Sequence, residues 1–388
     1  MTRPGLTERA GTFTRPKRNA SRRDTRGAFY VGMTSLKPNS VARRGRRTPL
    51  IAAGGALLAA ALVLTGCSGS SDASESGAGE DLTTVKFALS YLPDVYLNGL
   101  AYADQEGLFE DAGIEIEYVP WGTTVTSDSI VASGEADMGI STDVRYALLA
   151  MASGMKITSL AAVYQHTPYL LTSMADKGYD SPADLSGKIY GGFGSPMEVA
   201  VVNDMIKNDG GAEPAENVTL SVAAYEALPA GRVDTILSFP GEIFMFNQND
   251  TPVNTWKTTD FGVPDSYATL LIGNDDYIAA NEDVVAKFTA AFQAGYEAAL
   301  EDPDAANEAF FAEFPDADLS PDQLKYVSDL QTNDLYISPD GVFGSQTEDV
   351  WQSNADWLIE QGILAGPDGD LLTEFDASKV FTNTYLSE

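Results

Sequence analysis

Apolar runs of strand length alternate with helix-spaced apolar positions along the chain from Thr83 onward. Four segments have the apolar pattern of strands: 85–92, 114–119, 136–140 and 157–164. Three segments between them have the apolar spacing of helices and are each closed by a glycine: 99–112, 125–133 and 144–152. Strands and helices that alternate over short connections predict an α/β fold with a mostly parallel sheet and helices on both faces.

The same alternation starts again near Asp184. The predicted strands of this second series are 189–193, 218–222, 235–239 and 268–272. The predicted helices are 197–208, 223–231, 282–301, 305–314, 321–332 and 346–361. Neither a Gly-x-Gly-x-x-Gly motif nor a Walker motif follows any strand, so nucleotide binding has no support. A chain of this length with two α/β series can form two lobes with separate cores.

The N-terminal segment has the parts of an export signal. A basic stretch precedes an uncharged apolar run at 49–63, and Leu64-Thr65-Gly66-Cys67 follows. This order resembles a bacterial lipobox, which implies that Cys67 is diacylated and becomes the new N-terminus. We therefore expect a signal peptide at 1–66, with an N-terminal extension before a start at Met33, and a flexible lipid-anchored tether at 67–82. The alternative is an ordinary thiol at the end of a membrane anchor.

The exported part of the chain is strongly acidic. Residues 1–66 hold 13 of the 24 Lys and Arg but 2 of the 56 Asp and Glu, so the remainder carries a net charge of −43. Such a surface repels nucleic acid, and an anionic solute would need a dedicated cationic clamp. With one cysteine and one histidine, His166, a disulfide framework, a His-rich metal site and a Ser-His-Asp triad have little support. We expect no metal, no cofactor and no catalytic residues.

Several motifs in the first lobe and at the start of the second carry a family resemblance. They are Leu92-Pro93-Asp94, Gly99-Leu100-Ala101-Tyr102-Ala103, Glu106-Gly107-Leu108-Phe109, Gly113-Ile114-Glu115-Ile116, the stretch from Ser133 to Ile140, Asp184-Leu185-Ser186-Gly187-Lys188, and the stretch from Tyr190 to Pro196. In this order they resemble the NMT1/THI5-like superfamily, which includes the SsuA-like binding proteins for nitrate, sulfonates and taurine and those for the pyrimidine precursor of thiamine. The resemblance extends over most of the chain after the tether.

The resemblance implies a two-lobe type II periplasmic-binding-protein fold with a ligand cleft between the lobes. Residues 83–170 together with 265–388 would form lobe 1, and residues 171–264 would form lobe 2. The family further implies a monomeric, lipid-anchored solute-binding protein on the outer face of the cytoplasmic membrane. Such a protein captures a small molecule and passes it to an ABC permease and its ATPase, and hinge closure of the lobes is the motion that an importer can read.

Ligands of open α/β sheets bind in the crevice at the carboxyl ends of the strands, so the loops there supply the candidate site. These loops share aromatic, neutral polar and acidic side chains: Tyr91, Asp94, Tyr96, Asn98, Trp121, Thr123, Ser141, Thr142, Tyr164, His166, Phe193, Ser195, Glu198, Phe239 and Glu242. Aromatic rings can stack on a flat ligand, and carboxylates can accept hydrogen bonds from its amino or ring N–H groups.

Some of these residues also have a purely structural interpretation. Tyr91 and Tyr164 are as compatible with core or hinge packing as with ligand walls, and His166 is as compatible with a loop position that has no role. Glu198 lies in the first turn of a predicted helix, where an acidic side chain complements the helix dipole. Asp143 is predicted to cap the helix that follows it.

The candidate loops favour a neutral or weakly cationic aromatic heterocycle. Nitrate, sulfonate and phosphorylated ligands need positive charge, and Arg145 is the one cation near these loops, in a helix beside Asp143. A thiamine pyrimidine precursor is therefore the first expectation, followed by a riboflavin-type vitamin and then by the nitrate, sulfonate or taurine ligands of the same superfamily. A different class is a thiamine-pyrimidine synthase-like enzyme, but the family pattern of that enzyme includes a cysteine-rich motif that this chain lacks.

Overall fold

The computed structural model describes residues 82–220 and 223–387. The predicted signal peptide, the lipid-bearing Cys67 and the tether up to residue 81 lie outside the described residues. The strands are β1 (Thr83–Ala88), β2 (Ile114–Val119), β3 (Met138–Asp143), β4 (Ile157–Tyr164), β5 (Leu170–Met174), β6 (Ile189–Gly192), β7 (Glu216–Thr219), β8 (Thr235–Ser238), β9 (Val253–Lys257) and β10 (Ala268–Asn274).

The helices of the described residues are α1 (Asn98–Gln105), α2 (Leu108–Asp111), α3 (Ser127–Ala132), α4 (Val144–Ala152), α5 (Pro196–Asn208), α6 (Ala224–Ala227), α7 (Pro240–Gln248), α8 (Asp275–Ala280), α9 (Glu282–Glu301), α10 (Pro303–Glu313), α11 (Pro321–Leu330) and α12 (Glu348–Glu360). A 3₁₀ turn at Val95–Leu97 precedes α1, and a π-helical turn at Gln331–Leu335 continues α11. In the part of the chain that the structure describes, no helix combines the length and the apolar character needed to cross a membrane.

Two five-stranded sheets share one layout. The first has the order β2-β1-β3-β10-β4 and the second the order β7-β6-β8-β5-β9. In each sheet the fourth strand, β10 or β5, runs antiparallel to both neighbours, and the other strands are parallel. Each antiparallel strand is the first one after the chain crosses from the other sheet, at 165–169 or 258–267. These two crossings form the hinge between the sheets. Because the chain enters each sheet from the hinge side, the strand after a crossing runs antiparallel, and the predicted parallel arrangement holds for four strands of five.

The core of the first sheet rests on one face of α9. Phe288, Phe292 and Tyr296 recur every four residues on this helix and are fully buried, with Phe288 stacked on Phe87 of β1 at 5.6 Å between ring centres. Gly99 of α1 and Gly295 of α9 let these two helices approach closely, because a Cβ at either position would overlap the other helix. The α1–α9 contact thus fixes the start of α1 beside the ends of the strands.

The C-terminal helix α12 joins the two sheets at the hinge. Trp357 of α12 donates a hydrogen bond from Nε1 to Oδ2 of Asp204 on α5, at 2.9 Å. The guanidinium of Arg145, on α4 in the other half, lies over the same indole ring, 5.4 Å from its centre, and donates to the carbonyl of Pro264 in the second crossing. Arg145 is 1% exposed, so its side chain serves the packing of the hinge.

Several predicted boundaries differ from the structure for local reasons. The helix expected at 99–112 breaks at Gly107, which has a φ of 75° and separates α1 from α2. The strand expected at 85–92 ends at Ala88, and the segment before Asp94 forms a loop. The predicted helix 223–231 is the single turn α6, and the predicted strand 218–222 is β7, whose last expected residues lie outside the described range. The assignment of residues to lobes remains a prediction.

Candidate ligand-binding cleft

A cavity of about 500 Å³ lies where the two sheets face each other. Its walls come from the loops after β1, β2, β6 and β8, from the starts of α3, α5 and α7, and from the hinge crossings. The carboxyl ends of parallel strands point their loops to one edge of a sheet, and here the edges of both sheets meet. This volume lies in the range that small-molecule sites occupy.

Aromatic rings from both sides form the walls of the cleft. Tyr91, which follows β1, is 5.0 Å from the Trp121 ring centre and meets Phe193 of the opposite side edge-on at 6.5 Å. Tyr169 of the first crossing and Phe239 at the end of β8 form a second pair, 4.9 Å apart. Phe193 is 40% exposed at the mouth of the cavity. The rings therefore form an aromatic wall against which a flat ligand can pack.

Three acidic side chains are oriented by backbone N–H groups in their own loops. Oδ1 of Asp94 accepts from the amide of Val95 at 2.6 Å, at the start of the 3₁₀ turn. Oε2 of Glu242 accepts from the amide of Phe239 at 2.9 Å, as the third residue of α7. Glu198 of α5 does the same with the amide of Phe193, at 3.0 Å. Each carboxylate thus completes a helix start and faces the cavity with its remaining surface.

Burial makes these carboxylates weaker acids. It raises the pKa of Asp94 to about 6. It raises the pKa of Glu242 to about 7, with further help from the charge of Asp94. Asp128 of α3 also lines the cavity, and burial raises its pKa to about 6; the pKa of Glu198 rises for the same reason. Among the described residues that line the cavity there is no Lys, Arg or His, so no cation offsets these shifts.

Most of the candidate residues line this cavity. They are Tyr91, Asp94, Tyr96, Trp121, Thr123, Thr142, Tyr164, Phe193, Ser195, Glu198, Phe239 and Glu242. Two of the structural interpretations also hold. Asp143 caps α4, because its carboxylate accepts from the amides of Arg145 and Tyr146 at 2.7 and 3.0 Å. Glu198 serves its helix start as well as the cavity, so the two roles are not exclusive.

Three candidates are not brought to the cavity. Asn98 is 1% exposed and is held behind the wall, where its Oδ1 accepts from the Tyr336 hydroxyl at 2.9 Å. Ser141 is fully buried, because β3 continues to Asp143 and Ser141 belongs to the strand instead of the loop after it. His166 lies in the first crossing, where Nδ1 is 2.6 Å from Oδ2 of Asp265 in the second crossing. The expectation that these three contact a ligand in the cleft is corrected accordingly.

A polar network supports the cavity wall from behind. Gln331, in the π-helical turn, is fully buried and donates to the Tyr164 hydroxyl at 2.8 Å and to the Val95 carbonyl at 3.3 Å. Its Oε1 accepts from Nδ2 of Asn98 at 3.2 Å. The network therefore links the loop that carries Asp94 to the end of β4.

Other lining residues escaped the sequence prediction: Asp128, Tyr146, Tyr169, Tyr225 and Thr269. Thr269 has a φ of 56°, in the left-handed region that β-branched residues rarely adopt. Strain of this kind concentrates at functional sites. Tyr146 and Tyr225 lie inside helices, so a search restricted to loops after strands passes over them. Asp128 lies in the first turn of α3, where an acidic side chain is ordinary, so no sequence signal singles it out.

A second, wider depression of about 670 Å³ lies on the hinge side. It is lined by both crossings, by β9 and by parts of α7 and α11, and includes His166, Asp265 and Trp256. Tyr169 and Leu335 line both spaces, so a single layer of side chains separates them. The cleft between the strand ends is the better ligand site, because its aromatic rings and oriented carboxylates line one cavity.

Solved structures share this architecture, which is the periplasmic-binding-protein fold. The periplasmic sulfonate-binding protein SsuA from Methylobacillus flagellatus KT aligns with a TM-score of 0.58 and 18% identity, over 79% of this chain and 93% of that one. The desulfurization enzyme DSZB aligns with a TM-score of 0.51 and 13% identity, over 72% of this chain and 93% of that one. These likenesses show the fold, and they confirm the predicted periplasmic-binding-protein architecture.

The family follows from the sequence match. Residues 94–306 match the model of the NMT1/THI5 like family, and the chain belongs to that family, as its motifs predicted. A relative named formylaminopyrimidine-binding protein, from Halalkalibacterium halodurans, is 26% identical over 327 residues, which is 80% of this chain and 95% of the relative.

Proposed function

We propose that this chain is the extracytoplasmic solute-binding lipoprotein of an ABC importer and binds a small amino-substituted aromatic heterocycle, such as a thiamine pyrimidine precursor. The observation that carries the proposal is the cleft itself, with aromatic rings from both sides and four carboxylates around one cavity of about 500 Å³. A flat ring can pack against the aromatic wall formed by Trp121, Tyr91 and Phe193, and amino or ring N–H groups have acidic acceptors on either side.

The electrostatics of the cleft argue against the anionic ligands of the same superfamily. A nitrate or sulfonate group needs N–H donors and positive charge, whereas the described lining residues supply carboxylates and no cation. Arg145 is committed to the hinge through Trp357 and Pro264 and does not line the cavity. The name of the Halalkalibacterium relative, a formylaminopyrimidine-binding protein, supports the same ligand class.

A riboflavin-type vitamin is the second candidate within this class. The aromatic walls suit any flat heterocycle, and a larger ring system would use the same stacking surfaces. The carboxylates favour the aminopyrimidine, because an exocyclic amino group gives Asp94 or Glu242 a donor to pair with.

An enzymatic role of the thiamine-pyrimidine synthase type has less support. Such a role calls for a histidine in the site, and His166 lies instead against Asp265 between the crossings, outside the cavity. The likeness to DSZB concerns the fold, which hosts binding proteins and enzymes alike.

The partners follow from the importer role. An ABC permease and its ATPase would receive the ligand from a monomeric binding protein, with the acyl chains on Cys67 holding that protein at the outer face of the cytoplasmic membrane. Cys67 lies outside the described residues. The two sides of the cleft already touch away from the strand ends, where Phe244 of α7 packs on Tyr326 of α11 at 5.4 Å. Hinge motion between such surfaces is a signal that a permease can recognise.

Intrinsic fluorescence offers a direct test, because the chain has four tryptophans and they occupy different places. Trp121 lines the cleft and Trp256 lines the hinge depression. Titration with 4-amino-5-hydroxymethyl-2-methylpyrimidine should change the emission of the wild-type protein. Trp121→Phe should remove most of that change and weaken binding about threefold to tenfold, from the loss of stacking.

The matched control is Trp256→Phe, which should leave both the signal and the affinity unchanged. A response that survives Trp121→Phe and disappears in Trp256→Phe would move the ligand to the hinge depression and contradict the proposed site.

A further inference from the structure

The carboxylates of the cleft carry more negative charge than the surrounding groups of the protein neutralise. Asp94 comes from the loop after β1 in the first sheet, and Glu242 comes from α7 after β8 in the second. Asp128 and Glu198 add two further carboxylates, one from each side. The hydrogen-bond donors of Asp94, Glu198 and Glu242 are neutral backbone amides, which orient a carboxylate without cancelling its charge.

Asp128 adds a further carboxyl group that the protein barely solvates. This residue lines the cavity and is 4% exposed, and its Oδ1 is buried near Ser141 without a hydrogen-bond partner in the protein. A buried, unpaired carboxylate is costly, and it avoids that cost by taking a proton. Asp128 therefore also favours a cleft that has gained positive charge.

The acids on the two sides are coupled to each other. The charge of Asp94 raises the pKa of Glu242 further above its usual range, after burial itself. Asp94 and Glu242 therefore disfavour being ionised together, and a proton on either one relieves that repulsion. When the two sides move together, the repulsion between ionised Asp94 and ionised Glu242 increases. Closure of the cleft therefore favours a site that has gained one positive charge.

The other titratable groups of the cavity stay neutral over the same range. They are Tyr91, Tyr96, Tyr146, Tyr164, Tyr169 and Tyr225, and burial raises the pKa of each. Behind them, Asp143 and Arg145 are both buried, and burial raises the pKa of Asp143 and lowers that of Arg145. Asp94, Asp128 and Glu242 are therefore the cavity groups with raised pKa values of about 6 to 7.

We infer that the cleft binds its ligand together with one positive charge, which is either the ligand's own or a proton taken from solvent by the Asp94–Glu242 pair. A cationic heterocycle binds as it is. A neutral heterocycle binds with a proton on one carboxyl oxygen, which then donates to a ring nitrogen while the other carboxylate accepts from the amino group. This inference deepens the proposed function and rests on it. A metal ion is a poor substitute, since no group of three or more His, Cys, Asp or Glu among the described residues is arranged to hold one.

The test compares two probes of almost equal shape, the hydroxymethyl and aminomethyl forms of 4-amino-2-methylpyrimidine, of which the second is a cation at neutral pH. Calorimetric titration of the exported protein in phosphate and in Tris, at one pH near 7.5, measures the protons exchanged per ligand. The neutral probe should take up close to one proton, and the cationic probe close to none.

Glu242→Gln separates this coupling from simple contact, because the amide keeps an acceptor for Phe239 and removes the charge. The neutral probe should then bind without proton uptake, and the preference for the cationic probe should fall about tenfold. Glu360→Gln, an exposed carboxylate on α12 outside the cleft, is the matched control and should behave as wild type. Binding of the neutral probe without proton uptake by the wild-type protein would overturn the inference.

A ligand-free measurement keeps the two proposals distinguishable. The carboxyl pKa values are raised on folding, so their stabilising contribution is complete near pH 4 and is lost as the pH rises through about 6 to 7. The melting temperature of the wild-type protein should therefore fall from pH 5 to pH 8 by a few degrees more than that of Glu242→Gln. If neither pyrimidine binds, the proposed ligand class is wrong. If the two proteins show the same pH dependence, the charge-coupled pair is wrong whatever the ligand.

Discussion

The contact between α1 and α9 can be tested sharply by adding one methyl group at Gly295, because that group has two opposite effects on stability. Gly295 lies in the interior of the 20-residue helix α9. Replacing an interior helical glycine by alanine normally stabilises a protein by about 1 kcal/mol. Here the added Cβ would overlap the carbonyl oxygen of Gly99 and lie 2.7 Å from Cβ of Ala103.

Neither of those neighbours can move aside by a rotamer change, since one is a backbone atom and the other is a Cβ. The clash can be relieved only by separating α1 from α9, which loosens the packing around Tyr296. Overpacking of this kind costs about 1–3 kcal/mol. We expect Gly295→Ala to destabilise the protein by up to about 2 kcal/mol net, once the gain in helix propensity is subtracted.

Urea unfolding of the exported protein, followed by far-ultraviolet circular dichroism, measures this difference. Ala294→Gly is the matched control: it changes the same pair of residues at the neighbouring, exposed position of α9. It should cost about 1 kcal/mol from helix propensity alone. A Gly295→Ala protein that is more stable than wild type would refute the close α1–α9 contact, because the propensity gain would then have appeared unopposed.

Two further substitutions test the cavity wall. Gln331→Leu should lower the free energy of unfolding by about 1–3 kcal/mol, because Asn98 and the Tyr164 hydroxyl each lose a buried partner. Urea unfolding measures this loss, and an unchanged free energy would show that the network is absent. Thr269→Gly should raise the free energy of unfolding by about 1 kcal/mol, since relief of the strain in the left-handed backbone exceeds the entropy cost of glycine. The same substitution should weaken binding of the aminopyrimidine. A loss of stability in Thr269→Gly would show that its conformation carries no strain.

Much of the fold could be predicted because it is encoded locally. The bounds of α9 agree with the 282–301 helix that the spacing of apolar residues predicts. The apolar pattern does not predict β5, β9 or α7 at all. The antiparallel direction of β5 and β10 depends on where the chain returns from the other sheet, which no local pattern reveals. Likewise, Gly107 ends α1 through its left-handed φ, although the apolar spacing continues past it.

The candidate site likewise contains residues that local sequence predicts and residues that it does not. The loops after strands predict Tyr91, Trp121 and Glu242 as ligand residues, and these three line the cavity because strand ends meet at one edge of a sheet. Asn98 was placed there by its nearness to Asp94, but the 3₁₀ turn at 95–97 rotates its side chain into the core. Tyr169 and Tyr225 reach the cleft through the hinge and a short helix, which no strand pattern reveals.

The central claim is that this cleft takes an amino-substituted aromatic heterocycle. The most direct test is a thermal-shift screen of the exported protein against aminopyrimidines, thiamine, riboflavin, taurine and nitrate at fixed salt. A ligand at about 100 times its Kd should stabilise the fold by about 2.7 kcal/mol, which is a readily measured shift. The account predicts a shift with an aminopyrimidine that Trp121→Ala abolishes. A shift with taurine or nitrate alone would contradict it, because a cleft lined by carboxylates would then be binding an anion.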